Sequence, residues 1–283
     1  MTTPENPWAV EAVHLSKAFV RGGWVRKEVV QAVDDVSFQL TAGTTLALVG
    51  ESGSGKTTVA RMVAGLESPS GGEVRFFGQP RATRPGAKDR HELARTVQLV
   101  FQNPYRSLDP RQSIGSAIEE FIRAHFDWDH TRRTARVTEL LELVSLPDRM
   151  RTALPGELSG GQRQRACIAR ALATEPRILV LDEAVAALDV SVQAQVLNVL
   201  ADVRDTTGVS YLFVTHDLAV VRQIADDVIV LRLGRVVETG PAAQVLDQPQ
   251  EQYTRLLRDS VPREGWVPSR RTDRSPETGL PTS

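Results

Sequence analysis

The chain has 283 residues, with 34 basic against 35 acidic side chains and a net charge of -1, so the basic excess expected of a bulk nucleic-acid binder is missing. Apolar residues make up 41% and charged residues 24%, the balance of an ordinary globular protein, and the one cysteine, Cys167, excludes an intrachain disulfide and fits a reducing compartment. The longest apolar runs are a few residues, such as Ile178 to Leu181, far below the roughly 18 that a spanning helix needs, and the opening MTTPENPWAVEAVHL has no basic stretch leading into an apolar one. The expectation is a soluble, cytoplasmic chain without a signal peptide.

Residues 1–7 are polar and carry prolines, as a loose arm would. From Ala9 the pattern is strand-like, and 29–40 (VVQAVDDVSFQL) alternates well enough for two strands with a turn at Asp34 and Asp35. Residues 19–27, with Gly22-Gly23 and three basic residues, read as a loop. The run TTLALV at 44–49 has the uniform apolar character of a buried parallel strand, and 56–66 has helical spacing. A strand is expected at 73–77. A charged loop at 79–95 then leads into another strand at 96–101. Two helical patterns, 114–126 and 132–146, sit between strands and point to a helical subdomain. A helix follows at 158–173. A β-α-β rhythm comes next, with strands at 177–181, 210–214 and 228–233 and helices at 190–205 and 218–225. Such alternation predicts a parallel sheet wrapped by helices. Beyond residue 260 the chain carries Pro262, Pro268, Pro276 and Pro281 and almost no apolar periodicity, which reads as a disordered tail.

Three motifs carry chemistry. Gly50-Glu51-Ser52-Gly53-Ser54-Gly55-Lys56-Thr57 fits GxxxxGK[ST] in full, between an apolar strand and a helix. The glycines let backbone N–H groups curl around phosphate oxygens, and the helix N-terminus adds its positive dipole end. Lys56 would reach the β- and γ-phosphates, and the Thr57 hydroxyl would ligate Mg²⁺, a hard ion that takes oxygen ligands. A glycine-rich turn with a chance lysine is the bland alternative, and the flanking strand and helix weigh against it. The run Ile178-Leu179-Val180-Leu181-Asp182-Glu183 is an apolar strand ending in two carboxylates. Asp182 would hold Mg²⁺ through water, and Glu183 would orient or activate the attacking water. An acidic helix cap is the ordinary reading of an isolated pair, and the phosphate loop displaces it. A guanine reader of the form [NT]KxD is missing, because the only Lys-Asp pair, Lys88-Asp89, follows Ala87 in a charged loop, so ATP is favoured. Third, Leu158-Ser159-Gly160-Gly161-Gln162 places a capping serine and two glycines ahead of a helix rich in Arg163, Arg165 and Arg170, a second anion site on the same chain.

With these motifs in order, residues 9–257 resemble the ATP-binding subunits of ABC transporters. The resemblance implies an α/β P-loop NTPase core with a mostly parallel sheet, an N-terminal antiparallel β-subdomain and an inserted helical subdomain at about 103–156. It places the ATP-binding domain at 8–259 and leaves 260–283 as the tail. It assigns Gln102 as the glutamine that senses Mg²⁺ and the γ-phosphate, Asp189 in Ala187-Leu188-Asp189 as the D-loop carboxylate and His216 as the switch histidine. It extends the ATP contacts to Thr58, and it makes Ser159 to Gln162 the signature corner that faces a partner's nucleotide. The spacing from Glu183 to His216, 33 residues, fits that arrangement. Phe19, after Leu15-Ser16-Lys17, is the candidate adenine platform, with a half-buried strand phenylalanine as the plain alternative and Trp24 as a weaker rival.

Within the family the match is to the oligopeptide, dipeptide and nickel importer branch. It rests on Phe101-Gln102-Asn103-Pro104, Ser107-Leu108-Asp109-Pro110-Arg111, Leu188-Asp189-Val190-Ser191-Val192-Gln193-Ala194-Gln195 and Gln252-Tyr253-Thr254-Arg255-Leu256-Leu257. The short Ala64-Gly65-Leu66 link and the insertion near Gly22-Gly23 resemble the F-type member of a subunit pair. Ala184-Val185 stands where relatives often have Pro-Thr, and Cys167 alone cannot hold the iron–sulfur cluster of some extended relatives. The resemblance implies ATP and Mg²⁺ as cofactors. It also implies a second ATPase subunit, two membrane permease subunits, a solute-binding protein acting through the complex, and a place on the cytoplasmic face of the membrane. Two other classes have distinct signatures. A soluble ABC-type ATPase acting on nucleic acid or ribosomes would carry a long coiled coil, zinc-binding cysteines or a duplicated domain. A nucleotide-gated regulatory subunit without turnover conflicts with the presence of Glu183 and His216.

Overall fold

A computed structural model of the protein describes residues 7–21, 28–82, 86–102 and 107–259. Residues 1–6 of the expected arm, the 22–27 stretch with Gly22-Gly23 and Trp24, residues 83–85 and 103–106 and the tail from 260 lie outside the described residues.

Two sheets organise the chain. β1 (Trp8–Arg21) and β2 (Glu28–Thr41) form an antiparallel hairpin, and β4 (Gly71–Phe76) and β5 (Gln79–Pro80) extend it in the order β2-β1-β4-β5. Segment 28–41 is thus one strand and not the two that its pattern predicts. Its apparent turn is a bulge, where Asp35 takes φ 55° and His14 of β1 φ 50°, their side chains meet at 2.6 Å (His14 Nδ1 to Asp35 Oδ1), and the register shifts on either side of Leu15. A bulge interrupts the period-2 pattern as a turn does, which is why the sequence reads as a turn there.

The second sheet runs β10-β9-β3-β8-β7-β6. It consists of β3 (Thr45–Val49), β6 (Val97–Val100), β7 (Ile178–Asp182), β8 (Ser210–Thr215) and β9 (Asp227–Arg232), all parallel, with β10 (Arg235–Pro241) antiparallel at one edge. Both faces of the central strands are covered, so β3 and β7 are almost wholly apolar along their length. On one face Leu179, Leu181, Tyr211 and Phe213 pack with α3 (Ile114–His125), α4 (His130–Leu143), α5 (Gly160–Leu172) and α6 (Val190–Thr207). On the other, Val180, Leu212, Val214 and Leu48 meet α1 (Lys56–Val63) and the inner face of the hairpin, including Val10, Leu15 and Val36. Ala47, Val49, Val228 and Val230 pack a third cluster with α7 (Leu218–Ile224), α8 (Ala242–Asp247) and α9 (Gln252–Asp259).

The 79–95 stretch is not wholly a loop. It holds β5 and most of α2 (Ala87–Thr96), whose start is closed by the Asp89 carboxylate accepting the Gly86 N–H at 2.8 Å. Leu93 is the residue α2 packs on the core, and one leucine in ten residues gives no helical period to read. The strand β10 and the helices α8 and α9 are likewise absent from the sequence reading. No helix among the described residues is long and apolar enough to cross a membrane.

Candidate active site

In a parallel sheet the carboxyl ends of neighbouring strands lie along one edge, and ligands bind in the crevice outside it. Here β3 delivers residues 50–55 to that edge, β7 delivers Asp182 and Glu183, β8 delivers Thr215 and His216, and β6 leads to Gln102.

The loop after β3 needs its glycines for backbone reasons. Gly50 takes φ 150°, and a Cβ there would lie 2.2 Å from the Leu231 carbonyl oxygen. Gly55 takes φ 106° as the N-terminal cap of α1, and its Cβ would lie 2.5 Å from the Ala32 carbonyl oxygen of the hairpin. A side chain at either position would push the loop off the sheet edge. Lys56 follows at the first position of α1 and is 4% exposed. Its Nζ donates to the Gly50 and Glu51 carbonyls at 2.7 and 2.8 Å, in the middle of the loop. Burial holds this ammonium below the usual lysine value, against the pull of the Glu183, Asp182 and Glu51 carboxylates. A buried cation at a helix N-terminus, beside a glycine-rich loop, has the charge and position to receive an anion.

Thr57 and Asp182 are joined directly, the hydroxyl donating to Asp182 Oδ1 at 3.1 Å. Burial raises the Asp182 carboxyl above the usual range, opposed by the Thr57 hydrogen bond. Glu183 sits one residue beyond the strand at φ 50°, its N–H bonded to the Val214 carbonyl at 2.9 Å. A left-handed glutamate is strained, and here it turns the carboxylate toward the crevice. One of its oxygens accepts the Gln102 Nε2–H at 2.7 Å, and the other lies 3.4 Å from His216 Nδ1. Gln102, Glu183 and His216 thus form one chain of contacts across the ends of β6, β7 and β8.

Phe19, near the end of β1, closes the crevice. It lines a cavity of about 300 Å³ with Ser52, Gly53, Lys56, Thr57 and Glu183. Lys17 Nζ lies 5.1 Å from its ring, and Val30 of β2 pairs with it across the hairpin. Ser52, Gly53, Gly55, Lys56, Thr57, Thr58 and Glu183 line this cavity with Phe19, while Asp182 joins it through Thr57, and Gln102 and His216 join it through Glu183.

The Ser159 corner does not join them. None of Ser159 to Gln162 lines the cavity. Ser159 caps α5 through its hydroxyl and the Gln162 N–H (3.3 Å), while Gln162 Oε1 accepts the Ser159 N–H (2.9 Å). Ser159 and Gly160 are exposed, and the corner packs on α6: a Cβ on Gly161 would come 2.3 Å from Val192 Cγ1, and one on Gly160 3.2 Å from Leu188 Cδ2. Beside them Asp189 caps α6 by accepting the Val192 N–H and the Ser191 hydroxyl, which hold its carboxyl below the usual range. The arginines do not build the second anion site that their position on the helix predicts. Arg163 is buried and donates to the Pro155 and Leu158 carbonyls, Arg165 to the Ser145 carbonyl and Arg170 to the Ser107 carbonyl. They fasten the helical layer to α5, and what α5 offers an anion is its exposed N-terminus.

One participant was missed. Tyr253 of α9 accepts the Glu51 N–H in its hydroxyl at 3.1 Å, from 202 residues away. The sequence marks Tyr253 only as part of a branch motif and gives no sign that α9 folds back to the phosphate loop.

A glycine-rich loop between strand and helix, with a buried lysine and a carboxylate-ended neighbouring strand, defines a P-loop nucleoside triphosphate hydrolase. The ABC transporter family model matches residues 33–186, more than half of the chain, and the chain belongs to that family as an ATP-binding ATPase subunit. A peptide import ATP-binding protein of Brucella abortus (strain 2308) is 51% identical over 235 residues, 83% of this chain and 70% of its own length. Glutathione import ATP-binding protein GsiA of Escherichia coli (strain K12) is 49% identical over 233 residues, 82% of this chain but only 37% of GsiA. Among solved structures, the dimeric post-hydrolysis cassette MJ0796, bound to ADP and Pi, superposes with a TM-score of 0.73 at 27% identity, covering 82% of this chain and 98% of that one. The structure of cbiO1 of Clostridium perfringens, part of the ABC transporter complex cbiONQ, shares the fold at a TM-score of 0.75 and 24% identity, covering 86% of this chain and 92% of that one.

Proposed function

We propose that this chain hydrolyses ATP to drive import of peptides or a related small solute through separate membrane permeases, from the cytoplasmic face. The observation that carries the chemistry is that Lys56, Thr57 and Glu183 line one cavity, with Asp182 bonded to Thr57, and Gln102 and His216 in contact with Glu183. The names of the relatives from Brucella and Escherichia, both import ATP-binding proteins, support the direction and the solute class.

In this reading the loop amides of residues 50–58 and the Lys56 ammonium bind the phosphates, and Phe19 stacks on adenine. The Glu183 carboxylate accepts a proton from water or orients it for attack on the γ-phosphorus. Gln102 and His216 each contact one of its two oxygens, and His216, with more than half of its side chain exposed, is more open to the γ-phosphate than Glu183. The donor set suits Mg²⁺. Thr57 Oγ1 and Asp182 Oδ1 are already in contact, Gln102 adds a carbonyl oxygen, and a buried carboxyl held high by desolvation gains from an adjacent cation. Thr57, Gln102 and Asp182 would hold the ion, which supplies charge neutralisation between the phosphates when bound.

The exposed Ser159 corner completes the site of a second ATPase subunit. Its amides and dipole would face that subunit's γ-phosphate, with the 82%-exposed Val190 and the Asp189 segment in the same contact. ATP then favours the closed pair, and hydrolysis releases it. The ATP-binding domain is taken as 8–259, and the helical segment at about 103–156 would carry this motion to the permeases. A solute-binding protein would deliver cargo to them from the other side. The partner is proposed to be a different chain of the same family. Subunit masses and stoichiometry of the purified membrane complex test this: one copy beside a distinct ATPase and two permeases supports it, and two copies with no other ATPase would replace the heterodimer by a symmetric pair.

A further inference from the structure

We propose that Tyr253 is a positioning residue for the phosphate-binding loop, so that docking of the C-terminal helix α9 sets nucleotide affinity. This deepens the reading given above and rests on Lys56 and its loop being the phosphate site.

The geometry concerns one peptide group, Gly50–Glu51. Its N–H donates to Tyr253 Oη at 3.1 Å, and its carbonyl accepts from Lys56 Nζ at 2.7 Å. A peptide unit is planar, so fixing the direction of the N–H fixes that of the carbonyl opposite. Gly50, at φ 150°, a value open to glycine alone, has no Cβ to restrain the torsion that leads into this group. Without a partner for its N–H, the group could rotate and carry the Lys56 acceptor with it. Tyr253 is therefore placed to hold the loop in the form in which lysine and amides face one point.

Tyr253 is in turn held firmly. It is 7% exposed and packs with Ala47 and Val49 of β3, the strand that feeds the loop, and the Arg232 guanidinium lies 4.8 Å from its ring centre. The helix start is fastened to β10, because the Glu238 carboxylate accepts the Gln250 and Glu251 N–H groups at 2.8 and 3.2 Å. The line from Glu238 through α9 to Tyr253, Glu51 and Lys56 joins the C-terminal helix to the phosphate site by contacts alone.

The test is Tyr253→Phe in the full-length chain within its complex, which keeps the ring and its packing and removes the acceptor. A net hydrogen bond of the usual size corresponds to a two- to tenfold effect. The Kd of a fluorescent ATP analogue and the KM for ATP should rise by about that factor, with kcat at saturating ATP within twofold and the thermal midpoint nearly unchanged. Glu51 amide hydrogen exchange should accelerate. A merely structural tyrosine would shift the midpoint and leave Kd alone, and unchanged nucleotide affinity with unchanged Glu51 exchange overturns the proposal. Glu238→Gln tests the link from its far end and should weaken nucleotide binding in the same direction. Lys56→Ala, run in parallel, keeps the two readings apart: nucleotide affinity unaltered by that variant would remove the phosphate-site assignment, whereas affinity lost with Lys56→Ala but kept with Tyr253→Phe would remove only the role of Tyr253.

Discussion

Replacing Glu183 by Gln separates binding from chemistry. In the wild type the two carboxylate oxygens have different duties: one accepts Gln102 Nε2–H at 2.7 Å, and the other faces His216 Nδ1 at 3.4 Å. A glutamine keeps the volume and one oxygen, so one of the two contacts survives, and it cannot take a proton from water. The loss of a positioned general base is worth about 10²- to 10⁴-fold in rate, or roughly 3 to 5 kcal/mol of transition-state stabilisation. The phosphate-binding groups are untouched, because the Lys56 hydrogen bonds go to the Gly50 and Glu51 carbonyls. ATP affinity in a fluorescent-nucleotide titration should therefore stay within about threefold, while single-turnover phosphate release from the assembled complex falls by two to four orders of magnitude. Phosphate release within tenfold of wild type would refute the reasoning and move the water-activating role away from β7.

Two further outcomes follow from packing and charge. Gly161→Ala drives a methyl to within 2.3 Å of Val192 Cγ1, and overpacking of about 1–3 kcal/mol outweighs the roughly 1 kcal/mol gained in helix propensity, so the thermal midpoint should fall by a few degrees; an unchanged or higher midpoint would show that α5 and α6 part freely. Asp182→Asn removes a carboxylate whose folded pKa is raised by burial. A raised carboxyl pKa means that the folded state binds more protons than the unfolded one between the two values, so stability is lost as pH rises through that window and stays lost above it. The Asn variant should consequently melt higher than wild type at pH 7 without nucleotide and lose that advantage in acid, and a lower midpoint at pH 7 would contradict the sign.

The site was legible because its chemistry is local in sequence. A loop that wraps phosphate needs glycines and a lysine at fixed spacing, and at Gly50 and Gly55 a Cβ would strike a backbone carbonyl, so the positions the motif requires are also the ones where the fold admits only glycine. The buried strands β3, β7 and β8 were readable for the same reason: with both faces covered, their composition is uniform. What failed was what no periodic or motif pattern marks. The bulge at Asp35 needs His14 across the hairpin, α2 is held by one leucine and a cap, and Arg163, Arg165 and Arg170 face carbonyls 5 to 63 residues away instead of an anion. Tyr253 is the extreme case, since its contact with Glu51 spans nearly the whole domain and leaves no local pattern.

ATP hydrolysis at this cavity is proposed to power solute import. The most direct measurement is uptake of labelled di- and oligopeptides into proteoliposomes holding the purified complex, with the solute-binding protein on its receiving side and ATP supplied to the face that carries this chain. Uptake that requires ATP, disappears with Glu183→Gln in this subunit and runs in step with phosphate release is the predicted result. Robust ATP turnover by the complex with no solute crossing the bilayer, or uptake indifferent to Glu183→Gln, would contradict it.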